Sequence, residues 1–272
     1  MHLLLRLFLL LIVLSCGAEP EIPQLETPST GITTPPLTPE PLSLVWADEF
    51  DGDELNLDNW TFELGDGCPN LCGWGNNELQ IYTDNNHRLE NGILIISAKK
   101  ENGFSSTRII TKGKQEFQYG RIEARAKVPK GAGLWPAFWA LGNDIDTNSW
   151  PDCGEIDIME YVGKNPGQVF TSVHTRSSFG NTVNTQTTPA PNIEDDFHVF
   201  AIEWTPDLID FYLDENRVYR YVPQQKNQET WPFDKPFFLI INMAIGGNFG
   251  GPVANNLVFP KELMIDYVRV YQ

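Results

Sequence analysis

The stretch GRIEARAKVP, residues 120–129, alternates between apolar and charged side chains along its whole length. In an extended chain, alternate residues share a face. The apolar face carries Ile122, Ala124, Ala126 and Val128, and the polar face carries Arg121, Glu123, Arg125 and Lys127. This period of two predicts a half-buried β-strand.

The same period recurs along the rest of the chain, in ILIISAKK (93–100), FFLIINMAI (237–245) and MIDYVRVYQ (264–272). The stretch at 200–221 indicates three strands separated by turns at 205–207 and 214–216. No segment has a long helical period. Many short strands joined by Gly, Pro and Asn turns predict an all-β sandwich or barrel, and residues 43–272 suit one large domain of this type.

The N-terminus predicts export. Residues 1–15 contain Arg6, then an apolar run from Leu7 to Leu14, and then a small residue, as in a secretory signal peptide. The sequence VLSC resembles a bacterial lipobox, which makes Cys16 the predicted lipid-bearing residue. We therefore expect a cell-surface or outer-membrane lipoprotein held to the membrane only by this anchor. An ordinary signal followed by a chance cysteine is the alternative.

Residues 16–42 form the predicted tether. They are rich in Pro, Thr and Glu and contain few large apolar side chains. Such a segment cannot bury enough surface to fold, so we expect an extended spacer.

The charge of the chain restricts its partners. The formal net charge is −17, and such a field repels DNA, RNA and other anionic polymers. We therefore expect a neutral or cationic partner and no nucleic acid.

The cysteines of the exported domain are Cys68, Cys72 and Cys153. CPNLC has neither redox-motif surroundings nor a second cysteine pair for zinc. The interpretation we favour is a Cys68–Cys72 disulfide that closes a small surface loop and leaves Cys153 free. A Cys72–Cys153 pairing remains an alternative.

The stretch GEIDIMEYVG (154–163) places three acids in a pattern that otherwise indicates a buried strand. Glu155 and Asp157 share a face, whereas Glu160, at i+5, points the other way in a regular strand. A one-residue β-bulge near Met159 restores the phase, and bulges often lie beside active sites. We therefore predict that all three carboxyl groups face the same way.

This arrangement suits a glycosidase. Four strand steps place the two glutamate Cα atoms about 13 Å apart, and side chains that lean inward leave about 6 Å between the carboxyl groups. Retaining glycosidases need about 5–5.5 Å and inverting ones about 6.5–9.5 Å. Mutual repulsion would raise the pKa of one acid, so that one donates a proton while another is ionised. A calcium site or a solvated strand face is the alternative.

Three tryptophans lie close to the acids in sequence, namely Trp135, Trp139 and Trp150. Flat indole rings suit the apolar faces of pyranose rings, although an aromatic cluster can equally belong to a core. Beside aligned carboxylates we interpret them as sugar-binding residues.

The sequence from Val45 to Gln272 resembles glycoside hydrolase family 16, and in particular its laminarinases, the bacterial endo-β-1,3-glucanases. The resemblance rests on nine motifs in order: ADEFDG, CGWGNNELQIYT, YGRIEARAKVP, GLWPAFWALG, GEIDIMEYVG, VHT, FAIEWTPD, INMAIGGNFGG and IDYVRVYQ. It implies a jelly-roll sandwich of two antiparallel sheets with a concave substrate cleft. It also implies retaining hydrolysis of a neutral β-glucan, with Glu155 as nucleophile, Asp157 as its helper and Glu160 as acid/base.

The resemblance implies further site residues. Glu123 and Arg125 match cleft-lining positions, and His174 matches a histidine near the acid/base. A structural calcium ion would be bound by Glu49, Gly92 and Asp266, mostly through backbone oxygens, and catalysis would need no cofactor. We expect a monomer.

Other functions stay open from the sequence. A mixed-linkage glucanase, an agarase, a carrageenase and a transglycosylase are other activities of the family. A non-catalytic carbohydrate-binding protein is the alternative from a different class.

Overall fold

The computed structural model describes residues 41–272. The predicted signal peptide, Cys16 and residues 16–40 of the predicted tether lie outside the described residues. Within the described part, no helix has the length and apolar character needed to cross a bilayer.

The described chain is built almost entirely of short β-strands, as the period of two predicts. A 3-10 helix (Cys72–Gly75) and a four-residue helix α1 (Gly247–Gly250) are the helical segments among the described residues. The strands are β1 (Leu44–Asp48), β2 (Thr61–Phe62), β3 (Gln80–Tyr82), β4 (His87–Glu90), β5 (Ile93–Lys100), β6 (Phe104–Ser106), β7 (Arg108–Ile110), β8 (Glu116–Phe117), β9 (Gly120–Lys127), β10 (Leu134–Gly142), β11 (Glu155–Glu160), β12 (Gln168–His174), β13 (Thr185–Pro189), β14 (His198–Trp204), β15 (Ile209–Leu213), β16 (Asn216–Tyr221), β17 (Phe237–Ile245) and β18 (Lys261–Tyr271).

The strands form two sheets. The ten-stranded sheet has the order β16-β15-β14-β9-β18-β5-β6-β3, with β1 on β18 and β4 on β5. The eight-stranded sheet has the order β13-β12-β11-β10-β17-β7-β2, with β8 on β17. The pairings are antiparallel except for the short β3–β6 contact. The predicted all-β jelly-roll sandwich is confirmed.

The core lies between the sheets, and the period of two determines which residues enter it. From β9, the apolar residues Ile122, Ala124 and Ala126 are buried in the core. From β11, Ile156 and Ile158 enter the same core. The opposite face of the eight-stranded sheet carries the side chains of β10, β11 and β12 that point away from this core, and we call this surface the cleft face.

Candidate active site

The bulge in β11 places the three acids on one face. On β10, Phe138 pairs with Met159 but Trp139 pairs with Asp157, so Ile158 is the extra residue. The pairing of β11 with β12 shifts between Asp157 and Glu160 as well. Ile158 and Met159 are consecutive, yet both are buried in the core. The predicted bulge is confirmed, and it returns Glu160 to the face of Glu155 and Asp157.

Tryptophans of β10 lie beside the acids on the cleft face. The indole Nε1–H of Trp135 donates to Oε1 of Glu160 at 3.0 Å. Trp139 lies four residues further along the same face, and its indole N–H donates to Oδ1 of Asn242 on β17 at 2.8 Å. Both rings are thus held by hydrogen bonds on this face.

His174, at the end of β12, lies opposite Glu155 in the strand pairing. Its Nε2 is 3.0 Å from Oδ2 of Asp157 and 3.7 Å from Oε1 of Glu155. The backbone N–H of Gly180 donates to Nδ1 at 3.1 Å. Because Nδ1 accepts this hydrogen bond, the proton of the neutral ring is on Nε2, facing the acids. The structure therefore brings His174 to Asp157 and Glu155.

The three acids have raised pKa values. Burial, and then the charge of Asp157, raise the pKa of Glu155 to about 8, although His174 acts in the opposite direction. Burial also raises the pKa of Asp157 to about 7. Burial, and then the charge of Asp157, raise the pKa of Glu160 well above its usual range. Three such groups cannot all be ionised at neutral pH, so the acids share at least one proton.

That proton gives the site the two states that glycosidic bond cleavage requires. One carboxylate must be ionised and one carboxylic acid must be able to donate. Glu155 and Asp157 lie two residues apart on the same face of β11, and Nε2 of His174 lies within 3.7 Å of a carboxylate oxygen of each. Asp157 is therefore placed to orient Glu155, while Glu160 is held separately by Trp135.

Trp150 lies at the edge of this site, on the segment that leads into β11. Its ring centroid is 6.0 Å from that of His174. A hydrogen bond from Trp150 lowers the pKa of Glu155 in part. The side chain is 41% exposed, so a ring face remains available beside the acids.

The cleft face carries a second cluster of polar residues, which was not predicted from the sequence. The Arg108 guanidinium lies 4.5 Å from the ring centroid of Trp74 and 5.0 Å from that of Trp139. Glu63 forms an ion pair with Arg108. Arg108 is almost fully buried. An arginine at the start of the otherwise apolar strand RII was the sequence feature that could have indicated this cluster.

Glu78 extends this cluster. Its carboxylate accepts hydrogen bonds from Gln80 at 2.6 Å and from the Tyr82 hydroxyl at 3.1 Å. Asn242 donates to that hydroxyl at 2.9 Å, which connects Glu78 to Trp139. Burial raises the pKa of Glu78. The motif NNELQ contains Glu78. Its position in the cleft depends on the backbone pairing of Glu78 with Gly246, a residue far away in the sequence.

The prediction that Glu123 and Arg125 line the cleft was wrong. Both lie on β9 in the ten-stranded sheet, where the apolar residues of that strand face the core. Their side chains therefore point to the opposite side of the sandwich from the cleft face. There Arg121 donates to Glu123 at 2.7 Å, and Arg125 forms an ion pair with Asp266.

Of the residues predicted to bind calcium, Asp266 lies in the middle of β18, and Glu49 and Gly92 lie next to strands that pair with it. Asp48, next to Glu49, pairs with Val268, and Leu94, near Gly92, pairs with Ile265. Arg269 donates to both carboxylate oxygens of Glu49, so the backbone carbonyl is the oxygen that would remain for the predicted ion. Arg125 donates to Oδ2 of Asp266, and Oδ1 accepts no hydrogen bond from the described residues. These oxygens fit the preference of Ca²⁺ for carbonyl and carboxylate ligands.

The cysteines of the domain occupy different environments. A disulfide joins Cys68 and Cys72, and Cys153 is a buried free thiol. Burial raises the pKa of Cys153 to about 12, so this thiol is not reactive at neutral pH.

The fold and the paired glutamates define a glycoside hydrolase. The model for the glycosyl hydrolases of family 16 matches residues 74–268, so the chain belongs to this family.

Relatives and solved structures agree with this assignment. The chain is 42% identical to a beta-glucanase of Rhodothermus marinus, over 84% of this chain and 85% of the relative. It is 43% identical to a glucan endo-1,3-beta-glucosidase of Cryptopygus antarcticus, over 76% and 82%. The structure of a laminarinase from Flavobacterium sp. UMI-01 superposes with a TM-score of 0.83, at 59% identity over 85% of this chain and all of that one.

Proposed function

We propose that this protein is a retaining endo-β-1,3-glucanase that degrades laminarin-type polysaccharides. The observation that carries the proposal is the bulge in β11, which aligns Glu155, Asp157 and Glu160 on the cleft face. The relatives named as endo-1,3-beta-glucosidase and laminarinase support this linkage.

In the first step, Glu155 attacks the anomeric carbon as a carboxylate. Glu160 donates its proton to the glycosidic oxygen, the C–O bond breaks, and a covalent glycosyl-enzyme forms. In the second step, Glu160 takes a proton from water, whose oxygen attacks the anomeric carbon and releases Glu155. Two inversions leave the configuration unchanged. The burial that raises the pKa of Glu160 keeps it protonated for the first step.

Asp157 and His174 support the nucleophile. Asp157 lies beside Glu155 on the same face of β11, and the Nε2–H of His174 faces both acids. Asp157 thereby restricts the rotamers of Glu155 and exchanges a proton with it as the charge of the nucleophile changes. This chemistry uses side chains of this chain and, we propose, no cofactor.

Substrate specificity is tested by incubating the protein with laminarin, lichenan and agarose and sizing the products over time. We expect a ladder of short oligosaccharides from laminarin at early times, because an endo-acting enzyme cuts within the chain. Faster release from lichenan or agarose would replace the β-1,3 assignment by another activity of the family. Binding to laminarin without cleavage would indicate a carbohydrate-binding protein.

We also propose that the protein is an exported lipoprotein that acts as a monomer at the cell surface. The lipobox at Cys16 and the Pro-rich segment after it support this proposal. The Cys16→Ser variant should move from the membrane fraction to the soluble fraction. Equal fractionation of the two proteins would contradict the anchor.

A structural calcium ion at Glu49, Gly92 and Asp266 is a further proposal. When bound, it would crosslink β1, the β4–β5 turn and β18 on the side of the molecule away from the acids. Chelation with EDTA should lower the melting temperature, and added CaCl₂ should restore it. The Asp266→Asn variant should lose this response, and a wild-type melting temperature unaffected by EDTA would contradict the site.

A further inference from the structure

We propose that Phe179 is a specificity-determining residue that stacks against a sugar ring of the bound glucan, on the β12 side of the catalytic acids. The inference rests on the function proposed above, because the occupant is a glucosyl unit of the chain being cleaved. Phe179 lies in the loop of residues 175–184, which joins β12 to β13.

The first support is an exposed aromatic pair beside the nucleophile. The rings of Phe179 and Trp150 are 5.3 Å apart and meet edge to face at 82°. Phe179 is 50% exposed. Trp150 in turn lies 6.0 Å from His174, which faces Glu155 and Asp157. A single exposed apolar side chain is ordinary on a protein surface, but a pair that lines a catalytic cleft indicates a ligand site.

The second support is that the loop around Phe179 is held in place. Ser178 donates from its backbone N–H to the Thr175 carbonyl at 3.0 Å, and its side-chain oxygen accepts from the Val183 N–H at 2.9 Å. Arg176 forms an ion pair at 3.3 Å with Asp152, on the segment that carries Trp150. Phe179 therefore keeps its exposed position without a flexible loop to bury it, which reduces the entropy cost of binding.

The third support comes from the chemistry of the substrate. A glucan that is cut within its chain extends on both sides of the cleaved bond. On the β10 side, Trp139 and Arg108 line the cleft face, and on the β12 side the exposed aromatic rings are Trp150 and Phe179. The apolar faces of a pyranose ring pack on such rings, so Phe179 extends the aromatic surface of Trp150 on this side to a further sugar.

The test is a length series of β-1,3-gluco-oligosaccharides, from trimer to heptamer, cleaved by wild type and Phe179→Ala. We expect equal kcat/KM for oligosaccharides too short to reach Phe179. For longer ones we expect a fall of about three- to tenfold, mostly in KM, which is the usual effect of losing one aromatic contact. Phe179→Tyr should retain wild-type values, and Val183→Ala, on the same loop and highly exposed, is the matched control.

A ratio of variant to wild type that does not depend on length would overturn the inference. A value near one would mean that Phe179 contacts no sugar. A uniform loss with a shifted pH profile would mean that the residue acts through Gly180 and His174 instead. If the alanine variant is unstable, the same length series is measured with Phe179→Leu, which retains apolar volume. Failure of the proposed function would be visible separately, as wild-type enzyme that cleaves no member of the series.

Discussion

The charge state of Glu160 depends on neighbours that act in opposite directions. Burial and the charge of Asp157 raise its pKa, whereas the hydrogen bond from Trp135 lowers it. In the proposed mechanism this proton protonates the leaving group, so these neighbours should control the alkaline limb of the pH–rate profile. Single substitutions at the two neighbours should therefore shift that limb in opposite directions.

In the Asp157→Asn variant, the negative neighbour of Glu160 is removed. The pKa of Glu160 should fall, so the acid should lose its proton at a lower pH than in wild type. We expect the alkaline limb of kcat/KM to move to lower pH, together with a fall in kcat, because Glu155 loses its charged partner. An unchanged or raised alkaline limb would contradict the influence of Asp157 on Glu160.

In the Trp135→Phe variant, the N–H that donates to Glu160 is removed and an aromatic ring is retained. The carboxylate loses a stabilising donor, so the pKa of Glu160 should rise. The alkaline limb should move to higher pH. Trp139→Phe is the control, since its indole donates to Asn242 and not to an acid, and the two variants should differ in this limb.

At the scale of the strand, the bulge in β11 controls which way Glu160 faces. Ile158 and Met159 both enter the core, and the acid that follows returns to the cleft face. Side-chain direction reverses at every residue of a strand, so a change of one residue is the largest perturbation of facing that the chain allows.

Deletion of Met159 should leave the last acid four residues after Glu155, on the cleft face without a bulge. We expect partial activity and a lower melting temperature, because a buried methionine is lost. Insertion of alanine after Ile158 should abolish turnover. If the bulge stays, the acid faces the core, and if it is lost, the acid moves two steps, about 6.6 Å, further from Glu155. Laminarin turnover and thermal melting check both variants, and full activity of the insertion variant would contradict the account.

The strands, the bulge and the common direction of the three acids could be predicted from the sequence. Each follows locally from the alternation of side-chain direction along a strand, which has a period of two residues. The error at Glu123 and Arg125 came from the family resemblance, which assigned the polar face of this strand to the cleft. Alternation separates a core face from an outer face, but it does not say to which of two sheets a strand belongs. That assignment comes from the pairing of β9 with β14 and β18, which are distant in sequence.

The second polar cluster of the cleft face could not be predicted from a local sequence pattern either, because its residues come from segments that are distant in sequence. Arg108 reaches the cleft because β7 pairs with β17, more than a hundred residues later. Trp74 comes from an irregular segment in which Trp74 itself has a positive φ of 52°. Neither the strand pairing nor the loop conformation produces a periodic sequence pattern, so neither could be predicted from the sequence.

For the whole molecule, the buried acids make stability depend on pH. The pKa of Glu155 is raised from 4.5 to about 8 in the folded state. Between these values the folded protein retains a proton that the unfolded chain has lost, so stability falls as pH rises through this range. The site of Glu155 therefore lowers the stability of the domain on the alkaline side, where this carboxyl group must ionise in the fold.

The Glu155→Gln variant should lose part of this pH dependence. Its melting temperature relative to wild type should rise between pH 4.5 and pH 8.5, by an amount equivalent to about 2 kcal/mol or more. Glu215→Gln, at an exposed turn, is the control and should follow wild type at both pH values. A constant difference between Glu155→Gln and wild type would mean that Glu155 titrates normally in the fold.

The central claim is that Glu155 is the nucleophile and Glu160 the acid/base of a retaining enzyme. The most direct measurement is the anomeric configuration, by NMR, of the glycosyl azide formed when azide rescues each alanine variant on an activated β-glucan substrate. For Glu155→Ala, azide replaces the nucleophile and should give the inverted α-glycosyl azide. For Glu160→Ala, azide attacks the glycosyl-enzyme that Glu155 still forms, and should give the retained β-glycosyl azide. The opposite pair of configurations would mean that the two roles are exchanged, and the same configuration from both variants would contradict a double displacement by these two glutamates.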